Sequence, residues 1–175
     1  MDVSPGSTQI ASGSGGKTGI ASGLSDSTAC VWSLSTGQRL LGPWVHGSPP
    51  TVYTIKFSPN GRFIATATWR STSVHNSQSG NLVRVNVPTE ASFVLNHPLS
   101  WSSSDKHLFT VSTGKIICLD ASTGATLSQW SIHGGKYNCI ALASDGAFIA
   151  ASSDSSVSFW DSTTSKSALS SSIQL

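Results

Sequence analysis

The sequence predicts an all-β chain of about four tandem repeats of short antiparallel strands, and three regularities carry that prediction. A short apolar run ends on the same kind of mark four times: Val31-Trp32-Ser33, Val74-His75-Asn76, Cys118-Leu119-Asp120 and Phe159-Trp160-Asp161. The central residues are 43, 44 and 41 positions apart, so the marks share one period. Four residues after each third member stand Gly37, Gly80, Gly124 and Ser165. Glycine there supplies the positive φ of a tight hairpin turn. About fifteen residues upstream of the marks lie Ser58-Pro59-Asn60-Gly61, the degenerate Ser102-Ser103-Ser104-Asp105, and Ala143-Ser144-Asp145-Gly146. Asn-Gly and Asp-Gly are strong hairpin signals.

A period of this length belongs to propeller-type repeats, each forming one small sheet, or blade. Strands are read where short apolar runs rich in aromatic and β-branched residues lie between turn residues. The first repeat offers 19–22, 29–33 and 38–41 and lacks an innermost strand. The second offers 52–57, 62–67, 72–75 and 81–85. The third offers 93–101, interrupted by Pro98, then 107–112, 115–119 and 126–130. The fourth offers 137–142, 147–152, 156–160 and 168–173. Residues 1–17 are expected to be irregular, with four-stranded antiparallel blades over 18–44, 45–88, 89–131 and 132–174. Three full blades and one partial blade leave the ring an open arc, whose free edges and apolar faces invite self-association or a partner. The chain is accordingly expected to be a segment of a longer protein, or to need another copy.

Composition narrows the function. With 10% charged residues and a net charge of +2 the surface has little ionic steering, which disfavours non-specific nucleic-acid binding. Cys30, Cys118 and Cys139 are an odd, widely spaced set inside apolar runs, read as buried free thiols of a reducing compartment. No apolar run reaches membrane-spanning length, and the N-terminus lacks a basic segment followed by an apolar core. A cytoplasmic or nuclear location is expected, with no membrane contact.

Asp154 followed six residues later by Trp160-Asp161, and Asp26 followed six residues later by Trp32, resemble the WD-repeat β-propeller family. The resemblance covers most of residues 18–174. It implies four antiparallel strands per blade and a hydrogen-bonded structural tetrad, carried over in the last repeat as His133, Ser152 or Ser153, Asp154 and Trp160. Such a set makes chemical sense: a half-buried indole N–H needs an acceptor, and a carboxylate fixes an imidazole tautomer. The middle repeats depart from the pattern. Trp69 and His75 replace its Asp and Trp in the second, Thr113 and Leu119 in the third, so packing alone is expected to hold those blades.

Residues 11–18, Ala11-Ser12-Gly13-Ser14-Gly15-Gly16-Lys17-Thr18, match a loose phosphate-loop pattern. That chemistry needs a strand before the loop and a helix after it. Gly19-Ile20-Ala21-Ser22-Gly23 follows instead, repeating Ile10-Ala11-Ser12-Gly13 ten residues on. A nucleotide-binding enzyme is therefore the third reading. The sequence presents no acid–base carboxylate pair, no metal-ligand spacing among His46, His75, His97, His107 and His133, and no nucleophile elbow. No catalytic residue, metal or cofactor is expected.

In a four-stranded antiparallel blade the connection entering the blade and the turn between its second and third strands share one end. In the second repeat this groups Trp44, His46, Pro49, Trp69 and Arg70 at one rim. Tryptophan and arginine are frequent interface anchors. The alternative is that Trp44 packs on the neighbouring blade and Trp69 covers the place of the missing Asp. The leading reading is a non-catalytic protein–protein interaction scaffold. A ligand-sensing or regulatory repeat region of a larger signalling protein is the second.

Overall fold

The computed structural model describes residues 1–13, 28–46, 51–68, 71–83, 98–112, 114–131, 137–153, 156–162 and 173–174. Within them the chain is all β. In order the strands are β1 (Asp2–Val3), β2 (Gln9–Gly13), β3 (Thr28–Ser33), β4 (Arg39–Val45), β5 (Val52–Phe57), β6 (Phe63–Thr68), β7 (Thr72–Asn76) and β8 (Leu99–Trp101). Then come β9 (His107–Ser112), β10 (Lys115–Asp120), β11 (Thr126–Ser131), β12 (Tyr137–Leu142), β13 (Phe148–Ser153), β14 (Ser156–Asp161) and β15 (Ile173–Gln174). They form four antiparallel meanders, β1–β4, β5–β7, β8–β11 and β12–β15. We call these blades 1 to 4. No helix among the described residues is long and apolar enough to cross a membrane.

The four sequence marks all fall at the ends of third strands: Trp32 on β3, His75 on β7, Leu119 on β10 and Trp160 on β14. The turn glycines behave as their spacing predicts, with φ of 68° at Gly37, 73° at Gly80 and 74° at Gly124. The hairpin signals also recur as one structure. Ser58, Ser102 and Ala143 each receive the amide of the residue three positions on, and each donates its own amide to the carbonyl five positions on. Where glycine is missing, Asp105 itself takes φ 58°. Aspartate tolerates that conformation better than most residues.

Residues 1–17 correct the sequence reading, because they hold β1 and β2 instead of an irregular segment. Ser4-Pro5-Gly6-Ser7 makes the same turn as Ser58-Pro59-Asn60-Gly61: the Ser7 amide donates to Ser4 O at 2.8 Å, and the Ser4 amide to Gln9 O at 2.9 Å. Blade 1 therefore has its innermost strand, β1. The expected strand at 19–22 lies outside the described residues. The fourth strand expected at 81–85 is reduced to a single bridge between His75 and Leu82, with 84–85 outside the description. In the third repeat β8 starts at Leu99, directly after Pro98, as a residue without an amide donor requires at a strand's edge.

Both faces of the interior blades are covered, so β6 and β10 are buried almost continuously instead of alternating. The core is accordingly three separate clusters, one at each junction. Ala11, Ala29 and Val31 of blade 1 meet Val52, Ile55, Phe57 and Ile64 of blade 2. Ala65, Ala67 and Val74 meet Leu99, Trp101, Leu108, Ile117 and Leu119 of blade 3. Phe109, Val111, Ile116, Cys118 and Trp130 meet Ile140, Ile149, Ala151 and Trp160 of blade 4. Polar links cross these junctions as well. The Asp2 carboxylate accepts the Phe57 amide at 2.7 Å, and the Asp105 carboxylate accepts the Asn60 amide at 3.1 Å. Cys30 and Cys118 are buried and in no disulfide, but Cys139 is exposed, contrary to the expectation that all three are buried. It lies on the face of blade 4 that no further blade covers among the described residues.

Candidate functional site

Of the five residues grouped from the sequence, Trp44 and His46 lie among the described residues, and both pack on His75 at the junction between blades 1 and 2. Pro49, Trp69 and Arg70 lie outside the described residues. Trp44 sits on β4, paired with Ala29, and leans across the junction. Its indole N–H donates to the Gly80 carbonyl at 2.9 Å, and its ring stacks on His75 with centroids 4.1 Å apart. Trp130, on the fourth strand of blade 3, donates to the Asp161 carbonyl of blade 4 at 3.2 Å. Trp44 is thus a clasp between neighbouring blades, with its polar atom engaged.

His46 meets His75 edge to face with centroids 6.1 Å apart. Neither nitrogen of His75 nor Nε2 of His46 has a hydrogen-bond partner, although these atoms are buried. Burial, then the neighbouring His46, holds the His75 imidazole down to about 4; the Gly80 backbone pulls the other way without making a hydrogen bond of regular geometry to the ring. Burial also lowers His46. At neutral pH both rings are uncharged, and the pair acts as packing surface. Blade 2 is expected to be held by packing alone, but the Trp44 bond to Gly80 adds a polar link here, and position 69 lies outside the described residues.

Four residues along β6 from the Ile64–His75 pair, at the other end of these strands, the β6–β7 turn has a hydrogen-bonded base. The Thr68 amide donates to Ser71 O at 2.8 Å, and the Ser71 amide returns a bond to Thr68 Oγ1 at 3.0 Å. Residues 69 and 70 stand between these two anchors in the chain. Blade 4 repeats the device where Ser156 donates its amide to Ser153 Oγ at 3.2 Å, bracketing positions 154 and 155.

Of the tetrad carried over to blade 4, His133 and Asp154 lie outside the described residues, and Trp160 is buried at the junction with blade 3. Ser152 pairs with Val157 and Ile149 with Trp160, so strand alternation turns Ser152 away from the tryptophan. Ser153 is the serine that shares its face. The serine–tryptophan bond of the pattern is instead visible in blade 1, where Trp32 Nε1 donates to Ser12 Oγ at 3.0 Å. The sequence reading missed Ser12 because it gave this strand to the second copy of the repeated Ile-Ala-Ser-Gly segment.

A second feature had no counterpart in the sequence reading. At the same junction, beside the turn that accepts the Trp44 indole, lies an open cleft of about 520 Å³, lined by Ser4, Thr8, Gln9, Asn60, Ser77 and Gln78 beside Leu40 and Leu41. Its walls carry hydrogen-bonding groups and no titratable side chain. The turns that build it were legible in part, since Asn60-Gly61 is one of the hairpin signals. The stretch resembling a phosphate loop begins inside β2, where Ala11 is fully buried and paired with Val31. Positions 14–18 lie outside the described residues.

Comparison with known proteins agrees with this geometry. The family model described as WD domain, G-beta repeat matches residues 42–76 and 124–161. A chain of a structure titled "Crystal Structure of Mitotic Checkpoint Complex" superposes with a TM-score of 0.76 over 96% of this chain, at 19% sequence identity. The chain has the fold of a β-propeller segment and carries two stretches similar to the WD repeat. It spans 47%, about half, of that longer chain. No curated protein matches the sequence. Each WD-repeat match starts near the fourth strand of one blade and ends with the third strand of the next, at Asn76 and Asp161. The repeat therefore straddles two sheets, and Trp44 and the His75 ring it covers belong to one repeat unit.

Proposed function

We propose that this chain is a non-catalytic scaffold for protein–protein interaction, working in the cytoplasm or nucleus, whose partner docks on the rim between blades 1 and 2. The observations that support the reading are the packed Trp44–His46–His75 cluster at the junction and, at the other end of β6 and β7, the hairpin base at Thr68 and Ser71 that brackets positions 69 and 70. A rigid support lowers the ordering cost of binding for the residues it carries. His46, Pro49, Trp69 and Arg70 supply the contact, and Trp44 keeps the cluster in place. The two WD-repeat matches support a scaffold in general, and the fold neighbour comes from a structure of a protein complex.

Affinity capture with the whole chain, compared with Trp69→Ala and Arg70→Ala, tests this reading. Each variant is expected to keep its far-UV circular dichroism and to weaken partner binding about tenfold or more. Unchanged binding by both would contradict the rim assignment, and unfolding of Trp69→Ala would place that ring in the core. The uncharged cleft of about 520 Å³ favours a second reading, a ligand-sensing repeat region of a larger signalling protein. Saturable binding of a neutral polar ligand, blocked by Gln78→Trp, would distinguish it.

A further inference from the structure

The three internal junctions are built by one rule. In blades 2, 3 and 4 the pair formed by the sequence mark and its second-strand neighbour, Ile64/His75, Leu108/Leu119 and Ile149/Trp160, turns towards the preceding blade. The pair one step along on the other face, Ala11/Val31, Ala65/Val74 and Phe109/Cys118, turns towards the following blade. Each junction thus joins a mark face to an off-mark face.

One face of each kind is left over. Blade 1 carries the mark pair Ile10/Trp32 with no blade before it, and blade 4 carries the off-mark pair Ala150/Phe159 with no blade after it, among the described residues. Burial records the difference. Ile64, Leu108 and Ile149 are 0% exposed, whereas Ile10 and Trp32 are only half-buried. Val31 and Val74 are 0% exposed, whereas Phe159 is half-buried and Phe148, on the same face, is 47% exposed.

We propose that the chain associates with a second copy of itself head to tail, the Ala150/Phe159 face of one copy seating on the Ile10/Trp32 face of the other. The argument is continuity: the two unmatched faces are the two halves of a junction that the chain already makes three times. A second copy is the occupant because one chain supplies both halves. One copy superposes on 47% of a chain of the same fold, which leaves room beside it for further blades. The contact is heterologous, so it closes when both ends meet and grows otherwise. It does not depend on the rim reading above.

Light scattering on the eluting 175-residue chain at tens of micromolar, with Ile10→Asp and Phe159→Asp variants, tests the proposal. The wild type is expected at twice the monomer mass or in a head-to-tail series above it, and each variant alone at the monomer mass. An equimolar mixture of the two variants has one intact face of each kind and is expected to recover a heterodimer. Phe148→Asp carries the same test should Phe159→Asp lose its β circular dichroism. A wild-type monomer across this range overturns the proposal, as in a chain whose end faces await further blades of its own reading frame. Association that survives both substitutions, or a mixture that stays monomeric, overturns it too.

Discussion

His75 shows how a substituted landmark changes the chemistry of a junction. A tryptophan-like position filled by imidazole stays packed only while the ring is neutral, because its nitrogens are buried without partners. Its folded pKa, about 4, lies below the ordinary value of 6.5. The unfolded chain therefore binds the proton first as pH falls. The stabilisation is fully present above pH 6.5, declines between 6.5 and about 4, and is lost below. Discounted for partial solvent access, the loss is about 2 kcal/mol. Urea unfolding at pH 7.5 and 4.5 should show this drop in the wild type and a much flatter response in His75→Phe. Asp120 has the opposite origin: bonds from the Ser122 hydroxyl and from the Thr123 amide and hydroxyl hold its carboxyl down to about 2. Removing that turn cap, as in Asp120→Ala, is expected to cost about 1 kcal/mol in the same assay. The mark at His75 was visible in the sequence. Its covering by Trp44 was not, because that contact joins residues 31 positions apart across two sheets.

At the level of strands and turns, local chemistry was legible wherever it repeated at the common period. The third strands, their glycine turns and the hairpins at Ser58, Ser102 and Ala143 follow from turn residues acting over a few positions. The first hairpin escaped because Ser4 stands 54 residues before Ser58, against 44 from Ser58 to Ser102 and 41 from Ser102 to Ala143. The Ser4 hydroxyl nevertheless accepts the Gln9 amide at 3.0 Å, as the Ser58 hydroxyl accepts that of Phe63 at 3.1 Å. Ser4→Ala and Ser58→Ala should each destabilise by about 1 kcal/mol in denaturant titration. A null effect at Ser4 alone would remove β1–β2 from the cooperative unit. That Trp44 packs on the neighbouring blade was one of the two readings the sequence allowed, but the backbone carbonyls that accept the Trp44 and Trp130 indoles were not legible. Trp130→Phe keeps most of the ring volume but gives up the bond to Asp161, and should lower stability by about 1 kcal/mol. Trp130→Ala, which also empties a fully packed site, should lower it by about 3–5 kcal/mol.

Across the whole molecule, stability comes from nearest-neighbour junctions, as in other repeat proteins, and no single centre holds the four sheets. Blades 2 and 3 are covered on both faces and should exchange their amide hydrogens slowest. Where no second copy covers it, the face of blade 4 that carries Cys139 and Phe148 should leave β12 and β15 the first to exchange. The composition and period foretold this one-dimensional build, whereas the separation of the rim from the uncharged cleft depends on which end each turn occupies. The most direct test of the account is a methyl NOE spectrum of protein labelled at isoleucine, leucine and valine. Cross-peaks are predicted within three groups, Val31 with Ile55 and Ile64, Val74 with Leu99, Leu108 and Leu119, and Val111 and Ile116 with Ile140 and Ile149. Cross-peaks joining Val31 or Ile55 to Ile140 or Ile149 would reveal one common core and contradict the stacked blades.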